Sequence, residues 1–462
     1  MQDFINFSEK LVSGMLPFVF LVFSGIYLSV KSGFFQVRML PRALKQAFGG
    51  MFGGKSKNGG ISPFQAACTA LSATVGTGNI TGVAGAVSIG GAGAVFWMWV
   101  AAFAGMIVKV FEIVLAVDYR ETKRGKPVGG PMYYIKKGLP RASGLAAVFA
   151  GVGIFAVFFS GNLTQSNAAA EALGAGFGVR LGAGAVFAFL CAAVIIGGAE
   201  RIGVFTEKIV PFMALLYIAM SSGVIFLNSE RIPEIFGMII RGAFNPSAVT
   251  GGAVGSFMTA VMTGASRGVF SNEAGLGTSA MVYAATDEKD GVSQSLYGIF
   301  EVFTDTIVIC TLTALTILCG GVNIEYGRNA STELVSLTLS EVYGGISSVL
   351  LCVMMCLFAV SSTVGWGFYG IVCTGYLFGK KGECVFVYLY PLFCIIGAVC
   401  SAETAWRLSA FFNGIMLCVN VAAVLFLSDG AAGRLRRFGR RNKEKRGKKI
   451  DKGKNTAFAE RT

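Results

Sequence analysis

Long apolar stretches without a charged residue divide this chain, and short polar segments separate them. A helix needs about 20 apolar residues to cross a bilayer, so each stretch of that length predicts one crossing. The second stretch is long enough for two crossings, and Gly90, Gly91 and Gly93 mark where it divides. The pattern therefore predicts eleven transmembrane helices. The charge-free stretches are Leu11–Val30, Ile61–Val108, Ser143–Ala170, Leu181–Ala199, Ile209–Ser229, Pro246–Ser266, Thr306–Asn323, Gly344–Gly379, Val385–Ala402 and Leu408–Ser428.

The composition agrees with a chain built almost entirely of membrane-spanning helices. Of its 462 residues, 54% are hydrophobic and 14% are charged, whereas a soluble protein carries about 25% charged residues. These values exclude a soluble enzyme and a nucleic-acid-binding module. The chain has 11 cysteines, mostly inside apolar stretches, and no histidine. Without a CxxC pair or a histidine, the sequence predicts no Cys/His metal site and no organic cofactor.

The positive charges predict the orientation of the helices in the membrane. The net charge is +14, and 31 of the 39 Lys and Arg residues fall in the loops on one side if the chain crosses eleven times. Positively charged loops stay on the cytoplasmic side of the inner membrane. This places the N-terminus outside the cell and the basic tail from Arg434 to Thr462 in the cytoplasm. The tail could lie on anionic lipid or be merely solvated, and the sequence does not distinguish these alternatives.

Two of the predicted helices are interrupted by glycines and small polar residues at the depth of the membrane centre. They are residues 71–82 (LSATVGTGNITG) and 263–279 (TGASRGVFSNEAGLGTS). A broken helix exposes backbone groups, which lipid tolerates only where those groups line a cavity or contact a ligand. Arg267 and Glu273 in the second segment would each cost about 3 kcal/mol on a lipid-facing helix, so they must face protein or water.

The two interrupted helices hold matching positions in the chain. When the first predicted helix is set aside, they are the first and the sixth of ten, and they begin on opposite sides of the membrane. This arrangement predicts two inverted five-helix halves with a substrate site at the midplane. The alternative is close helix packing through small residues four apart. The pairs that would serve it are Gly78 and Gly82, Gly251 and Gly255, and Gly264 and Gly268.

Further polar residues lie within predicted helices. Asn162, Gln165 and Ser166 would share one helical face, and hydrogen bonding between helices is as well supported there as substrate contact. The hydroxyls of Ser361 and Ser362 suit a hard monovalent cation, although such hydroxyls also bond to their own helix. The sequence predicts a local ion pair between Lys109 and Glu112. Glu301 and Asp305, four apart, head the eighth helix, and one of them could be a gating or coupling carboxylate.

These motifs together resemble the alanine/glycine:cation symporter family, also called the sodium:alanine symporters. The resemblance covers about residues 15–428. It rests on Ala73-Thr-Val-Gly-Thr-Gly-Asn-Ile, Phe96-Trp-Met-Trp, Lys109 with Glu112 and Tyr119-Arg120, Gly129-Gly-Pro-Met-Tyr-Tyr, Glu207-Lys-Ile-Val-Pro-Phe-Met, Arg267-Gly-Val-Phe-Ser-Asn-Glu-Ala-Gly-Leu-Gly, Asp305-Thr and Phe412-Asn-Gly.

The resemblance implies an all-α polytopic membrane protein with a LeuT-like 5+5 inverted repeat preceded by one extra helix. The predicted parts are residues 1–60 (extra helix and cytoplasmic loop), 61–229 (first half), 246–428 (second half) and 429–462 (basic cytoplasmic tail). The family implies sodium-coupled uptake of alanine or glycine across the plasma membrane. A small neutral amino acid and the lipid bilayer are then the expected partners, with no nucleic acid, and Na+ is the coupling ion.

The resemblance also implies which residues form the sites. Those expected at the substrate are Thr77, Gly78, Asn79, Gln165, Phe270, Ser271 and Trp366. A sodium ion is expected between the backbone around Ser72 and Val75 and the hydroxyls of Ser361 and Ser362. Possible gating or coupling residues are Arg267, Glu273 and Asp305.

Two other classes of function compete with this interpretation. A membrane-embedded enzyme would need a nucleophile with a base or a metal cluster, and the sequence shows neither pattern. A channel would assemble its filter around an oligomeric axis, which two broken helices in one chain do not require. Within the carriers, proton coupling of the same transport is the alternative to sodium coupling. The sequence does not predict the oligomeric state.

Overall fold

The computed structural model describes residues 14–459 except 52–59, 174–176, 253, 255, 329 and 331. Side chains are described up to residue 440, apart from residue 177. Within this part the chain forms helices joined by turns and one two-stranded hairpin. The start of the first predicted helix at Leu11, and the predicted inside-loop residues Lys55 and Lys57, lie outside the described residues.

The first two helices meet at a sharp bend. Helix α1 (Leu16–Ser32) and helix α2 (Phe35–Gly50) are inclined by 83°. Gly33 and Phe34 make the turn with left-handed φ angles of 68° and 55°. The polarity of the two helices differs, since α1 is mostly apolar with a single charged residue, Lys31, in its last turn, whereas α2 carries Arg38, Arg42 and Lys45 beside apolar side chains. A helix of the second kind suits a membrane surface better than its interior.

The first interrupted segment is broken in the structure as well. Helix α3 (Pro63–Thr74) begins at a capping box, in which Ser62 and Gln65 satisfy each other's backbone N–H groups. A π-helical turn (Gly78–Gly82) and helix α4 (Val83–Gly90) continue after the break. Helix α5 (Gly93–Asp118) then crosses the molecule, and 89% of its most apolar stretch is buried inside the protein. These elements form the centre of the bundle.

The next region leads to the periphery of the bundle. Only 28% of helix Gly178–Ile195 is buried inside the protein, so this side of the bundle is mostly exposed. Side chains such as Phe189 and Phe226 project outward. An apolar outer surface of this kind is expected where lipid surrounds the protein. The elements of this region are β1 (Glu121–Lys123), β2 (Lys126–Val128), α6 (Pro131–Gly138), α7 (Gly144–Phe158), a π-helical turn (Phe159–Leu163), α8 (Thr164–Ala172), α9 (Phe177–Ile195), α10 (Gly198–Leu227) and α11 (Ile232–Phe244).

The second interrupted segment is also broken, between α13 and α14. The stretch Pro246–Ser266, which the sequence predicts to be part of one helix, is divided as well, because a left-handed Gly251 ends a short helix. The elements are α12 (Pro246–Thr250), α13 (Phe257–Asn272), α14 (Thr278–Ala284), α15 (Gly291–Val302), a π-helical turn (Phe303–Cys310), α16 (Thr311–Cys319) and α17 (Thr332–Tyr343).

The last two helices are unusually long. Helix α18 (Ser347–Val399) is bent at Gly379, whose φ of 63° and ψ of −154° are not helical. This bend separates the two apolar stretches that the sequence predicts as separate crossings. Helix α19 (Ala402–Ala459) continues past its apolar part into the basic tail.

Seven helices among the described residues are long and apolar enough to span a membrane, or eight if α1 and α2 count as one bent span. The two broken segments are not among the seven, since none of their halves is long enough alone. One of the seven, residues 332–399, contains 68 residues and includes the Gly379 bend. The fold is therefore that of a polytopic helical membrane protein, and the number eleven stays a prediction.

Candidate functional site

The first break is a tight turn that frees the start of the second half-helix. Helix α3 ends at Thr74, and Val75 leaves the helical conformation with φ −79° and ψ 86°. The N–H of Gly76 donates to the carbonyl oxygen of Thr74 at 3.0 Å, which closes an inverse γ-turn. The π-helical turn starts two residues later at Gly78. The N–H groups at this point form the positive end of the helix dipole.

The side chain of Gln165 accepts hydrogen bonds at the start of this half-helix. Its Oε1 accepts hydrogen bonds from the backbone N of Thr77 at 3.1 Å and from the Thr77 hydroxyl at 2.9 Å. A Cβ at Gly76 would lie only 2.9 Å from the same oxygen, so a larger residue there would displace the Gln165 amide from this position. The structure therefore brings two predicted substrate residues together, although they are 88 positions apart.

Gly78 lies beneath the ring of Phe270. A Cβ at Gly78 would be 3.1 Å from that ring, so the two positions are in close contact. Phe270 in turn packs on Trp406 with 4.5 Å between ring centroids, and the guanidinium of Arg267 lies 4.5 Å from the Trp406 ring. Sequence reasoning missed Trp406, because a lone tryptophan near the end of an apolar stretch carries no signal.

The interruption predicted over residues 263–279 does not extend to Phe270 and Ser271. Both belong to the last turn of α13, which remains helical through Asn272. Unwinding begins only at Glu273, where the left-handed φ of 52° ends the helix. The side chains still face the first break, because they project from the end of the half-helix.

Asn79, Ser271 and Asp305 form a buried cluster that connects the two breaks. The amide of Asn79 donates to Ser271 Oγ at 3.1 Å and to Asp305 Oδ1 at 2.7 Å. Ser271 donates to Asp305 Oδ2 at 2.7 Å, and Thr306 donates to the same oxygen at 2.8 Å. Three donors around one carboxylate stabilise its ionised form. Asp305 thus contacts both interrupted segments directly.

Trp366 and Asn162 lie to one side of this cluster. Trp366 is 3% exposed and packs against Gly161 so closely that a Cβ on the glycine would overlap it. Asn162 donates to the carbonyl oxygen of Tyr390 at 2.7 Å and therefore connects helices. The predicted shared face of Asn162 and Gln165 is divided by the π-helical turn, so one side chain serves packing and the other reaches the break.

Of the four residues expected around sodium, Ser72 lies on α3, Val75 directly follows it, and Ser361 and Ser362 lie on α18, which contacts α3. Ser362 Oγ donates to the carbonyl oxygen of Ala73 at 2.9 Å. Ser361 Oγ is buried without a hydrogen-bond partner. Ser72 instead donates to Thr69 within its own helix, and Val75 contributes the turned backbone of the break. Oxygen atoms of this kind suit a hard cation. Across the described part of the chain, no three His, Cys, Asp or Glu side chains converge as a metal-binding group.

The second break spans residues 273–277. Glu273, Gly275 and Gly277 have left-handed φ angles of 52°, 88° and 76°. The N–H of Ala274 donates to the side chain of Asn272 at 3.0 Å, and Thr278 Oγ1 donates to Glu273 Oε2 at 2.6 Å. Left-handed conformations cost little at glycine, whereas Glu273 is a strained non-glycine position.

The structure contradicts the predicted ion pair between Lys109 and Glu112. The Lys109 ammonium pairs with Glu301 Oε1 at 2.8 Å and donates to the carbonyl oxygen of Asn272 at 2.8 Å. Glu112 accepts a hydrogen bond from Asn420 at 2.5 Å instead. The sequence spacing identifies only neighbours on the same helix. Lys109 and Glu112 are both fully buried in the bundle, so each finds its partner on another helix.

The end of the break region opposite Phe270 is closed by polar contacts. Gln65 donates to Glu207 at 2.9 Å, and Ile61 pairs with Thr286 in an isolated β-bridge. Arg120 donates to the carbonyl oxygen of Thr286 at 2.9 Å. Partial burial lowers the pKa of the Arg120 guanidinium, which nevertheless keeps its charge because its ordinary pKa is so high.

The remaining predicted gating residues do not meet. Among the described ion pairs, none joins Arg267 to Glu273. Arg267 faces Trp406, whereas Glu273 accepts a hydrogen bond from Thr278 at the start of α14.

This arrangement, two broken helices crossing at the centre of an apolar bundle, defines a membrane transporter of the LeuT-like fold. A crystal structure of MhsT in complex with L-phenylalanine has the same fold, with a TM-score of 0.56 over 83% of this chain and 99% of that chain. The sequence identity is 12%, so the likeness concerns the fold alone. The profile of the sodium:alanine symporter family matches residues 1–452. The chain belongs to this family, and it is a transporter and not an enzyme.

Curated relatives cover nearly the whole chain. A protein of Methanococcus maripaludis named sodium/alanine symporter AgcS is 41% identical over 92% of this chain and 94% of its own length. Two relatives of Bacillus subtilis are the probable sodium/glutamine symporter GlnT, 36% identical over 96% of this chain and 92% of its own length, and the putative sodium/proton-dependent alanine carrier protein YrbD, 33% identical over 96% and 94%. The relatives' names thus agree on amino acid transport and differ in substrate and coupling ion.

Proposed function

We propose that this protein imports alanine or glycine together with sodium across the plasma membrane by alternating access. The relative AgcS, the most similar of the three above, is named a sodium/alanine symporter, which supports alanine as substrate and sodium as coupling ion. The supporting observation in the structure is the contact between Gln165 and the N–H of Thr77. That contact marks where the first break accepts a negatively polarised oxygen.

The Gln165 amide oxygen stands where one oxygen of a substrate carboxylate would bind. An anion at the start of a half-helix is stabilised by free N–H groups and by the helix dipole. When the substrate enters, its carboxylate displaces the Gln165 oxygen from Thr77, and the amide N–H2 of Gln165 is then free to donate to the substrate. Gly78 supplies the next backbone N–H group of the same turn, whereas the N–H of Asn79 already donates to the carbonyl oxygen of Gly76 at 3.1 Å and Asn79 would contribute through its side chain.

The approach of Phe270 to Gly78 limits the substrate to a short side chain. The ring already lies at contact distance from the position of a Gly78 Cβ. A larger amino acid would have to displace Phe270 and the Trp406 ring packed behind it. Ser271 and Trp366 complete the surroundings of the site on the α13 and α18 sides.

Sodium would bind between α3 and α18. The unpartnered Ser361 hydroxyl, the Ser362 hydroxyl and the backbone oxygens near Ser72 and Val75 are the proposed ligands. An ion held there would fix the end of α3 and with it the turn that presents Thr77. Sodium and substrate would then stabilise the same conformation, which is the thermodynamic content of coupling.

The proposed architecture has eleven crossings, with the N-terminus outside and the C-terminus in the cytoplasm. Residues 61–229 and 246–428 would be the two inverted halves, between the parts formed by residues 1–60 and 429–462. Access would alternate as one bundle of helices rocks against the rest. Arg267 stacked on Trp406 would gate the outer side, and Asp305 would couple the two breaks. Glu273 would set the geometry of the second break.

The test is uptake into proteoliposomes with and without an inward sodium gradient. A panel of L-alanine, D-alanine, glycine and L-glutamine at equal concentration measures the substrate preference. We expect sodium-dependent uptake of alanine and glycine, with a large loss in Ser362→Ala and little change in Ser340→Ala at the exposed surface. Equal uptake in the presence and absence of sodium would contradict the coupling.

Proton coupling is the second candidate, because buried carboxyl groups lie at both breaks and one relative is named sodium/proton-dependent. It predicts that a proton gradient alone drives uptake in sodium-free buffer. Collapse of that gradient by a protonophore then distinguishes the two ions. Uptake that survives the protonophore at a constant sodium gradient supports sodium coupling.

A further inference from the structure

Three glutamates and one lysine surround the second break, and all are buried. Glu112, Glu301 and Lys109 are 0% exposed and Glu273 is 2% exposed. If every group were ionised, three negative charges would face one positive charge in the interior of a membrane protein. A buried charge without compensation costs several kcal/mol, so such groups are paired or neutralised.

The single ammonium is already used by one of the three carboxylates. Lys109 lies 2.8 Å from Glu301, whose other oxygen accepts a hydrogen bond from Tyr283 at 3.0 Å. Asp305 nearby is held by the three donors described above. These two carboxylates therefore have the partners that an ionised group needs.

Glu112 and Glu273 lack such partners. Among the described side chains, neither has an ammonium or guanidinium group within 4.0 Å, and each accepts one side-chain hydrogen bond, from Asn420 and Thr278 respectively. The backbone of Gly275 also lies beside Glu112. The Oε2 atom of Glu112 is buried without any hydrogen-bond partner. An ionised Glu112 would thus carry an unsatisfied oxygen in the interior.

An independent side chain points to the same conclusion. The hydroxyl of Tyr369 is buried and has no hydrogen-bond partner, and it lies within electrostatic range of Glu273 and Glu301. Ser279, next to the Thr278 that bonds Glu273, has a buried unpartnered hydroxyl as well. Neither hydroxyl donates to a carboxylate oxygen, so neither supplies Glu273 with a second hydrogen bond that would stabilise its ionised form.

The two carboxyl groups flank the same short turn. Glu273 begins the unwound segment, and Asn420 bonds both Glu112 and the carbonyl oxygen of Gly275 two residues later. We propose that Glu112 and Glu273 form a proton-binding site behind the second break, which is filled when this break is closed to water. This site goes beyond the proposed substrate and sodium contacts.

The chemistry of the site is a simple exchange with water. A carboxylate that accepts a proton from hydronium becomes a neutral carboxylic acid, and it returns the proton to water when the break opens. Neutralisation removes the cost of burying the charge, so protonation favours the closed conformation. The other titratable and charged groups facing the site are Lys109 on α5, Tyr134 on α6, Tyr283 on α14, Glu301 on α15, Asp305 in the π-helical turn after α15, and Tyr369 on α18.

Infrared spectroscopy of the purified full chain in nanodiscs tests the proposal directly. At neutral pH we expect a carbonyl stretching band of protonated carboxylic acid that shifts in deuterium oxide and disappears at alkaline pH. Glu112→Gln and Glu273→Gln should each lose part of this band, because glutamine has no carboxylic acid group. Each variant should still fold, since glutamine keeps the shape and the neutral state of the protonated glutamate. Glu383→Gln, on a partly exposed surface pair with Arg124, is the matched control and should leave the band unchanged.

A wild-type spectrum without such a band, or a band equal in the wild type and both variants, would overturn the proposal. The measurement needs neither sodium nor alanine, so its outcome is separate from that of the proposed symport. As a second measurement, the thermal midpoint of the wild type should fall between neutral and alkaline pH, and this fall should be smaller in each glutamine variant. An identical fall in all three proteins would also count against the site.

Discussion

At Gly78 the missing side chain sets how closely an aromatic ring approaches the first break. Phe270 is already at 3.1 Å from the position that a Cβ would take. We expect Gly78→Ala to weaken alanine binding by about ten- to a hundredfold, because overpacking of this kind costs about 1–3 kcal/mol. Gly78→Leu should abolish binding, as measured by equilibrium binding of labelled alanine.

Gly82 provides the control for this substitution within the same turn. A Cβ at Gly82 would lie 3.8 Å from Arg267 Cδ, which is an ordinary contact. Gly82→Ala should therefore leave alanine affinity unchanged. Retained affinity in Gly78→Leu would move the substrate site away from this turn.

Gln165 offers a test of the carboxylate position. In Gln165→Glu a carboxylate replaces the amide beside the N–H of Thr77, and a charge-assisted hydrogen bond is stronger than a neutral one. The new side chain should compete with the substrate and raise the KM for alanine by about tenfold or more, since a bond to a charged group contributes about 1.5–3 kcal/mol. Ser166→Ala, which loses only a bond to its own helix, should leave KM unchanged. An unaltered KM in Gln165→Glu would refute the role of Thr77.

Lys109 permits a test of the buried ion pair. Lys109→Met leaves Glu301 buried without its cation and should reduce the stability by about 3–5 kcal/mol. The double variant Lys109→Met with Glu301→Gln removes both charges and should regain part of this loss. Thermal unfolding in detergent measures the effect, and Lys126→Met, in an exposed pair with Glu200, should change the stability by less than about 1 kcal/mol. Equal midpoints of the single and double variants would show that the pair is not coupled.

At the scale of elements, the broken helices were largely predictable and their partners were not. The glycines and small polar residues of 71–82 and 263–279 place both breaks correctly, because backbone conformation follows local sequence. Local sequence could not reveal that Lys109 bonds Glu301, which is 192 positions away. It also overestimated the unwinding at Phe270, where α13 stays helical because the left-handed residue comes only at Glu273.

The glycines of the two interrupted segments serve both close helix packing and interruption of the helix. Gly264 and Gly268 on α13 both touch α5, and a Cβ at Gly264 would overlap the carbonyl oxygen of Ala94. Gly78, four residues before Gly82, contacts Phe270 instead. The small-residue pattern therefore serves helix packing on α13 and ring packing at the first break, which the spacing alone does not separate.

The contact between α13 and α5 gives a prediction for this pair of helices. Gly264→Val should destabilise the protein by several kcal/mol, because the added side chain meets backbone atoms that cannot rotate away. Gly151→Ala is the matched control within a helix, since no atom lies within 4 Å of its Cβ position. There alanine should stabilise by up to about 1 kcal/mol through helix propensity. Similar melting temperatures of the two variants would contradict close packing at Gly264.

At the scale of the whole molecule, α19 contacts the surroundings of both breaks. Trp406 packs on Phe270 near the start of the helix, and Asn420 bonds the carbonyl oxygen of Gly275 further along it. Arg434 follows near the middle of the helix. One helix thus contacts the ring above the first break and the backbone of the second, so any movement of α19 changes both.

The C-terminal part of α19 fastens this helix to the rest of the bundle. Arg434 pairs with Asp118 at the end of α5 and with Asp290 before α15, the latter at 3.2 Å. Arg436 donates to the carbonyl oxygen of Lys31 at 2.8 Å. Since these contacts all precede residue 441, a chain truncated after Arg440 should melt and transport like the full chain.

Arg434→Ala should by contrast lower the stability by about 1 kcal/mol, because it removes two partly exposed ion pairs at once. The loss should shrink in high salt, which screens exposed charges. Melting curves of Arg434→Ala and of the truncated chain, recorded at low and high salt, measure both effects. Destabilisation by the truncation but not by Arg434→Ala would show that residues beyond 440, and not this pair of aspartates, hold α19 in place.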